Sequence, residues 1–251
     1  MMTDADCTVH KNWILTTANH FKENLHNNDS ANKKKIGMIC SYTNVKANRM
    51  FHYCQFAEWT YMHTYACAGI GMDMVLGCFG NNISITKEAY NKIGGYTNLA
   101  FSVTEDYVLL KAIFNAGFEV RYLCDTNTVV ETLPVETFSE YMSQRKRWAI
   151  GGIDLGWKAF VYVASSVCLW LAIILSFIVC NYYLLVISVV LRFLGDTLIL
   201  YPVFNILDIK YLKKWVPLSV CFYSLTEIIL PFTLLNRTVK WKGQTFNQNK
   251  K

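Results

Sequence analysis

The chain has 251 residues, of which 53% are hydrophobic, 15% aromatic and 17% charged, with a formal net charge of +6. That is too apolar for an average soluble domain and too charged in its first half for an all-membrane protein, so a soluble part to about residue 156 and then a membrane block are expected. The modest positive charge suits anionic headgroups or a diphosphate, and it lacks the basic stripe of a nucleic-acid binder, so no nucleic acid is expected as a partner.

Along the chain, Val9, Trp13, Thr17, Phe21 and Leu25 recur every four residues and predict an amphipathic helix, broken by Asn27-Asn28-Asp29-Ser30. Lys33-Lys34-Lys35 reads as a solvated loop and Ile36 to Tyr42 as a short buried strand. Arg49 to about Ala68 is aromatic-rich and predicts a helix, followed by a glycine-rich loop from Gly69 to Gly80. Lys87 to Ile93 predicts a short helix closed by Gly94-Gly95. Thr104 is an expected N-cap for a helix that carries Glu105 and Asp106 in its first turn and stops at Gly117. Phe118 to Cys124 follows as a strand. Thr137-Phe138-Ser139-Glu140 is a capping-box pattern, so a helix starts there. On that helix Gln144, Arg147 and Trp148 fall on one face. Strands alternating with helices argue for an α/β layer structure.

Ala159 to Cys180 is a run of 22 uncharged residues, long enough to cross a hydrocarbon core of about 30 Å. Asn181 makes a tight turn into a second apolar run, Tyr182 to about Phe204, interrupted by Arg192 and Asp196. These two are four apart and can pair on one helix face, in a structural or a functional role. A third apolar run, Val216 to Leu235, has basic segments on both sides, so the positive-inside rule leaves open whether it crosses or lies at the interface. The nine cysteines are scattered without a Cys-x-x-Cys pair, show no zinc pattern and read as free thiols in a reducing compartment. Met1-Met2-Thr3-Asp4 has neither the basic nor the apolar region of a signal peptide.

Four groups of residues carry chemistry. Asp106 at a helix start, with Glu105 beside it, is a candidate general base, although paired acids also decorate solvated helix ends. Asp4 and Asp6 offer hard oxygen ligands for Mg²⁺ or Mn²⁺. Gln144, Arg145 and Arg147 suit a diphosphate, because the guanidinium fork matches phosphate oxygens, and Trp148 suits the apolar face of a sugar ring. A basic helix on lipid headgroups with Trp148 as interface anchor explains the same cluster equally well.

The order of these pieces resembles the family 2 glycosyltransferases: Asp4-x-Asp6, a Gly80-Asn81 loop, Thr104-Glu105-Asp106, Gln144-Arg145-Lys146-Arg147-Trp148, then apolar spans. More closely it is similar to the membrane-integrated branch of cellulose, chitin and hyaluronan synthases, and the likeness runs from Gly80 through Gly95-Tyr96, Ala116-Gly117-Phe118 and the tail Val239-Lys240-Trp241-Lys242-Gly243. The resemblance implies a partial GT-A-like α/β domain over residues 1–135. After it come an amphipathic interface helix over 136–157, a membrane block over 158–236 and a basic tail over 237–251. It implies an inverting transfer from a nucleotide-diphosphate sugar, a UDP-sugar by analogy, to a saccharide or lipid acceptor. Asp106 would deprotonate the acceptor, and Glu105, Gly80, Asn81 and Trp148 would lie at it. Gln144, Arg145 and Arg147 would face the donor diphosphate, and Asp4 and Asp6 would hold Mg²⁺ or Mn²⁺. The protein would sit in a plasma or inner membrane, in contact with its lipids, with the catalytic part cytoplasmic.

Members of that family carry a nucleotide-binding half before the Asp-x-Asp motif. This chain opens at the motif, so the expectation is a fragment of a longer protein, with a membrane span before residue 1, or a truncated scaffold that keeps the fold. Either way the 251-residue chain alone is expected to transfer no sugar.

Overall fold

In the computed structural model, residues 1–26, 34–235, 238–241 and 244–247 are described. Strand β1 (Thr8–Val9) leads into helix α1 (Trp13–His26), which buries Trp13 and Thr17. Val9, expected on that helix, pairs instead with Val130, because a backbone partner is available there and the helix begins only at Trp13. The expected break at residues 27–30 lies outside the described residues.

Ile36-Gly37-Met38-Ile39-Cys40-Ser41 has no polar face to offer water, and it forms strand β2 (Ile36–Ser41) with every residue buried. After Tyr42 the chain continues as β3 (Thr43–Val45). Helix α2 (Met50–Gly71) follows, three residues longer than expected at its end. A 3₁₀ turn at Gly80–Asn82 leads into β4 (Ile83–Ile85) and α3 (Lys87–Lys92). That helix ends at Gly94 and Gly95, whose φ angles of 76° and 66° suit glycine. Helix α4 (Glu105–Asn115), β5 (Glu119–Leu123), β6 (Val130–Thr132) and α5 (Phe138–Gly152) complete the mixed α/β part.

Two three-stranded sheets result. In the first, β2 lies between antiparallel β4 and parallel β5, and Met2 adds a single antiparallel bridge to Ile83 of β4. In the second, β6 lies between antiparallel β1 and parallel β3. Because β2 and β3 are separated only by Tyr42, one stretch of chain belongs to both sheets.

The apolar runs form helices α6 (Ala159–Ile178), α7 (Tyr182–Ile206) and α8 (Val216–Leu234), the last entered through a 3₁₀ turn at Lys210–Trp215. Asn181 caps α7 by accepting the Leu184 N–H, as a turn residue should. Among the described residues two stretches, Tyr182–Ile206 and Lys210–Leu234, are long and apolar enough to cross a membrane. Leu171, Ile174, Phe177, Val186, Ile187, Val190, Leu194 and Leu198 expose their side chains along α6 and α7. The pair expected at Arg192 and Asp196 forms at 2.9 Å, and Arg192 also donates to Ser166 of α6 and Glu227 of α8, while the Tyr223 hydroxyl donates to Asp196. Charges buried among apolar helices persist where they are paired and hydrogen-bonded, and this network ties the three helices together.

The described part of the tail adds β7 (Thr238–Trp241) and β8 (Gln244–Asn247), an antiparallel pair that periodicity did not suggest. One core joins the α/β part to the apolar helices: Phe56 and Trp59 of α2 pack with Leu200 and Phe204 of α7 and with Val220 and Tyr223 of α8. A second core, under α3 and α4, holds Met38, Ile83, Leu109, Leu110 and Ile113.

Candidate active site

Thr104 stands at the N-cap position of α4, yet its side chain caps nothing. Its hydroxyl is engaged with Ser102 at 3.1 Å, and its side chain lies against Gly151 of α5 so closely that a Cβ there would stand 2.2 Å from the Thr104 methyl. That glycine contact, not legible in the sequence, brings the end of α5 onto the start of α4. Arg147, one turn earlier on α5, donates to the Val103 carbonyl at 3.3 Å and so follows the same approach.

Asp106 is partly buried, and both carboxylate oxygens are held by backbone. Oδ2 accepts the Gly80 N–H at 2.8 Å and Oδ1 accepts the Tyr107 N–H at 2.8 Å. Burial, and after it the neighbouring Glu105 carboxylate, push its pKa up to about 6, against the two N–H donors and Arg147, which favour the ionised form. A Cβ at Gly80 would meet Asp106 at 3.4 Å, an ordinary contact, so the approach is set by the backbone of the turn and does not require glycine. Asn81 is buried and accepts the Thr43 hydroxyl at 3.0 Å, which fixes the turn to β3.

The capping box expected at Thr137 and Glu140 is present and starts α5 as the sequence suggests. On it, Arg145 is buried, and its charge goes to Glu58 of α2 rather than to open space. Nε donates to Glu58 Oε1 at 2.7 Å, Nη2 is paired with Oε2, and Nη1 donates to Gln144 Oε1 at 2.6 Å. Three of its five guanidinium N–H bonds are thereby engaged inside the protein, and the group still borders the cavity described below. Arg147 is also partly buried. Burial lowers its pKa, and Asp106, Glu105 and Asp4 all lie near enough to act against that shift.

Trp148 is half-buried in an aromatic wall. Its ring meets Trp59 edge-on at 5.2 Å and Phe79 at 5.8 Å. Behind these rings sits fully buried His63. Its Nε2 accepts the Thr43 N–H at 3.2 Å, so Nδ1 carries the proton and donates to the Tyr122 hydroxyl at 2.6 Å, and burial lowers its pKa to about 3.

These side chains border one cavity of about 950 Å³. All ten residues singled out from the sequence line it: Asp4, Asp6, Gly80, Asn81, Glu105, Asp106, Gln144, Arg145, Arg147 and Trp148. Glu58, Trp59, Phe79 and Gly151 line it too and were missed. The cavity reaches the apolar helices at Tyr223, Thr226, Glu227 and Leu230. Asp4 and Asp6 are exposed on its wall. Among the described residues no group of three or more His, Cys, Asp or Glu forms a cation cage. Two carboxylates still fit a Mg²⁺ or Mn²⁺ ion that completes its shell with substrate phosphates and water.

The arrangement brings a carboxylate held by backbone donors, a partly buried guanidinium and an aromatic wall into one space. No curated protein matches the chain. The model of glycosyl transferase family group 2 matches residues 1–235, nearly the whole length and every part of the cavity wall, and the chain belongs to that family.

Proposed function

We propose that the protein is an inverting, membrane-integrated glycosyltransferase of the polysaccharide-synthase type, moving a hexosyl group from a nucleotide-diphosphate sugar to a saccharide or lipid acceptor. One observation carries this reading: Asp106 and the face bearing Gln144, Arg147 and Trp148 border a single cavity, although 38 residues of sequence separate Asp106 from Gln144. Family membership supports a nucleotide-sugar donor, and the apolar helices beside the cavity favour a bilayer setting.

The residues then divide the work. Ionised Asp106 takes the proton of the acceptor hydroxyl, and the backbone donors on both its oxygens hold the carboxylate in place. The freed oxygen pair attacks the anomeric carbon from the face opposite the leaving group. The bond from that carbon to the diphosphate oxygen breaks, and the electron pair leaves with the nucleoside diphosphate. Arg147 and Gln144 face that diphosphate, where a fixed positive charge stabilises the negative charge that develops. Trp148, with Trp59 and Phe79, forms the wall against which the acceptor ring lies. Asp4 and Asp6 would hold Mg²⁺ or Mn²⁺, which supplies Lewis-acid charge to the phosphates.

The test is sugar transfer by the full-length protein in detergent or lipid discs, screened over UDP-sugars, with Asp106→Asn beside it. Loss of a proton-accepting base lowers kcat by roughly 10²–10⁴-fold. A variant that turns over at the full rate would remove Asp106 from the reaction and leave a non-catalytic scaffold as the better reading.

A further inference from the structure

Arg145 and Trp148 lie on successive turns of α5, and the guanidinium of Arg145 sits 4.3 Å from the Trp148 ring centre and 4.3 Å from that of Tyr141. Its edge is closed by Glu58, which takes Nε and Nη2, and by Gln144, which takes Nη1. Glu58 also accepts the Tyr141 hydroxyl at 2.9 Å. One carboxylate thus fixes both the cation and the second ring that stacks on it. Glu58 belongs to α2, the helix that also supplies Trp59 to the same wall.

We propose that Glu58 is a positioning residue for the acceptor: through Arg145 it holds the indole of Trp148 at the angle that accepts a sugar ring. The proposal rests on the acceptor role of Trp148 given above. The physical argument runs through desolvation. A buried guanidinium without its carboxylate is an uncompensated charge, and it turns outward toward water or toward the cavity's own anions. Once it turns, the ring loses the cation over its face. Trp148 keeps its packing on Trp59, Phe79 and the adjoining core but loses the cation that favours one orientation of its face. A displaced Arg145 also adds a positive charge to a wall meant for a neutral sugar. The pair therefore keeps the wall both rigid and uncharged, while Arg147, two residues on, remains the cation that meets the diphosphate.

The experiment compares Glu58→Gln, Glu58→Asp, Arg145→Gln and the double variant Glu58→Gln/Arg145→Gln in the full-length protein, reading KM for acceptor and for donor separately. Glu58→Gln is expected to raise the acceptor KM by about tenfold with the donor KM unchanged, the size of effect one lost orienting interaction produces. Glu58→Asp should restore part of it, and the double variant should be no worse than the worse single one, because both act on one ring. Equal loss in all kinetic constants, tracking the fraction of folded protein, would reduce Glu58 to a structural role and overturn the proposal. Trp148→Ala separates the two layers. If it leaves the acceptor KM unchanged, the acceptor reading itself fails. The brace is then judged by acrylamide quenching of the Trp148 signal, taken as the difference from Trp148→Phe, which must rise in Glu58→Gln; no rise overturns it.

Discussion

At the scale of single residues, the candidate site is governed by what surrounds each charge. Asp106 has its pKa raised to about 6 because burial and Glu105 outweigh its two N–H donors and Arg147. A base works ionised, so kcat/KM is expected to fall about tenfold per pH unit below about 6 and to level off above it, a limb that a pH–rate profile reads directly. A profile flat from pH 5 to 7 would mean that another group takes the proton. The same shift has a thermodynamic side. A carboxyl raised in the fold stabilises it when protonated, and that contribution is lost as pH rises through about 6. His63 acts in the opposite sense: with its pKa lowered to about 3, its contribution is present above the ordinary histidine value and is lost as pH falls toward about 3. Asp106 was legible because an acidic pair after a threonine at a helix start is a local pattern. Glu58, Trp59 and Phe79 were not. Glu58 is the single acid in a 22-residue helix whose apolar residues run all round, so nothing in its periodicity marks a functional face.

At the scale of elements, the site depends on α5 meeting α4. The start of α5 could be read from the sequence because a capping box is complete within four residues. Its destination could not, because the contact between Gly151 and Thr104 joins positions 47 apart, and a glycine inside a helix reads as a weak point rather than a contact. A methyl group at 151 has no room, and Thr104 is held by Ser102 on its other side. Gly151→Ala is therefore expected to cost about 1–3 kcal/mol of stability by overpacking. It should also lower kcat more than donor KM, since it pushes Arg147 away from Asp106. Thermal unfolding and steady-state kinetics check both parts. An unchanged midpoint with full turnover would show that α5 is not seated on α4 as described. Val9 teaches the same lesson in reverse. Its four-residue spacing from Trp13 fits a helix, but a pairing with Val130, more than a hundred residues away, takes it into a sheet.

At the scale of the whole molecule, the division into a polar part and an apolar part was legible from composition alone, while their joining was not. Trp59 and Phe56 share a core with Leu200, Phe204 and Val220, so the wall of the cavity and the apolar helices are one packed unit. The faces of α6 and α7 outside that core expose rows of Leu, Ile, Val and Phe, a pattern that water penalises and hydrocarbon does not. The protein is accordingly expected to stay with membranes through alkaline carbonate extraction. Release into the supernatant in folded form would rule out an embedded state.

The single bridge between Met2 and Ile83 has a further effect. Ile83 directly follows the Gly80–Asn82 turn, and Gly80 holds Asp106. The acidic pair at positions 4 and 6 thus follows a bridge to the strand that begins where the turn holding Asp106 ends. On the proposed reading, the carboxylates assigned to the phosphate end and the one assigned to the hydroxyl end share one backbone anchor. Loosening that first pairing would let the phosphate end drift while the hydroxyl end stayed in place, so catalysis would decay before the molecule itself came apart.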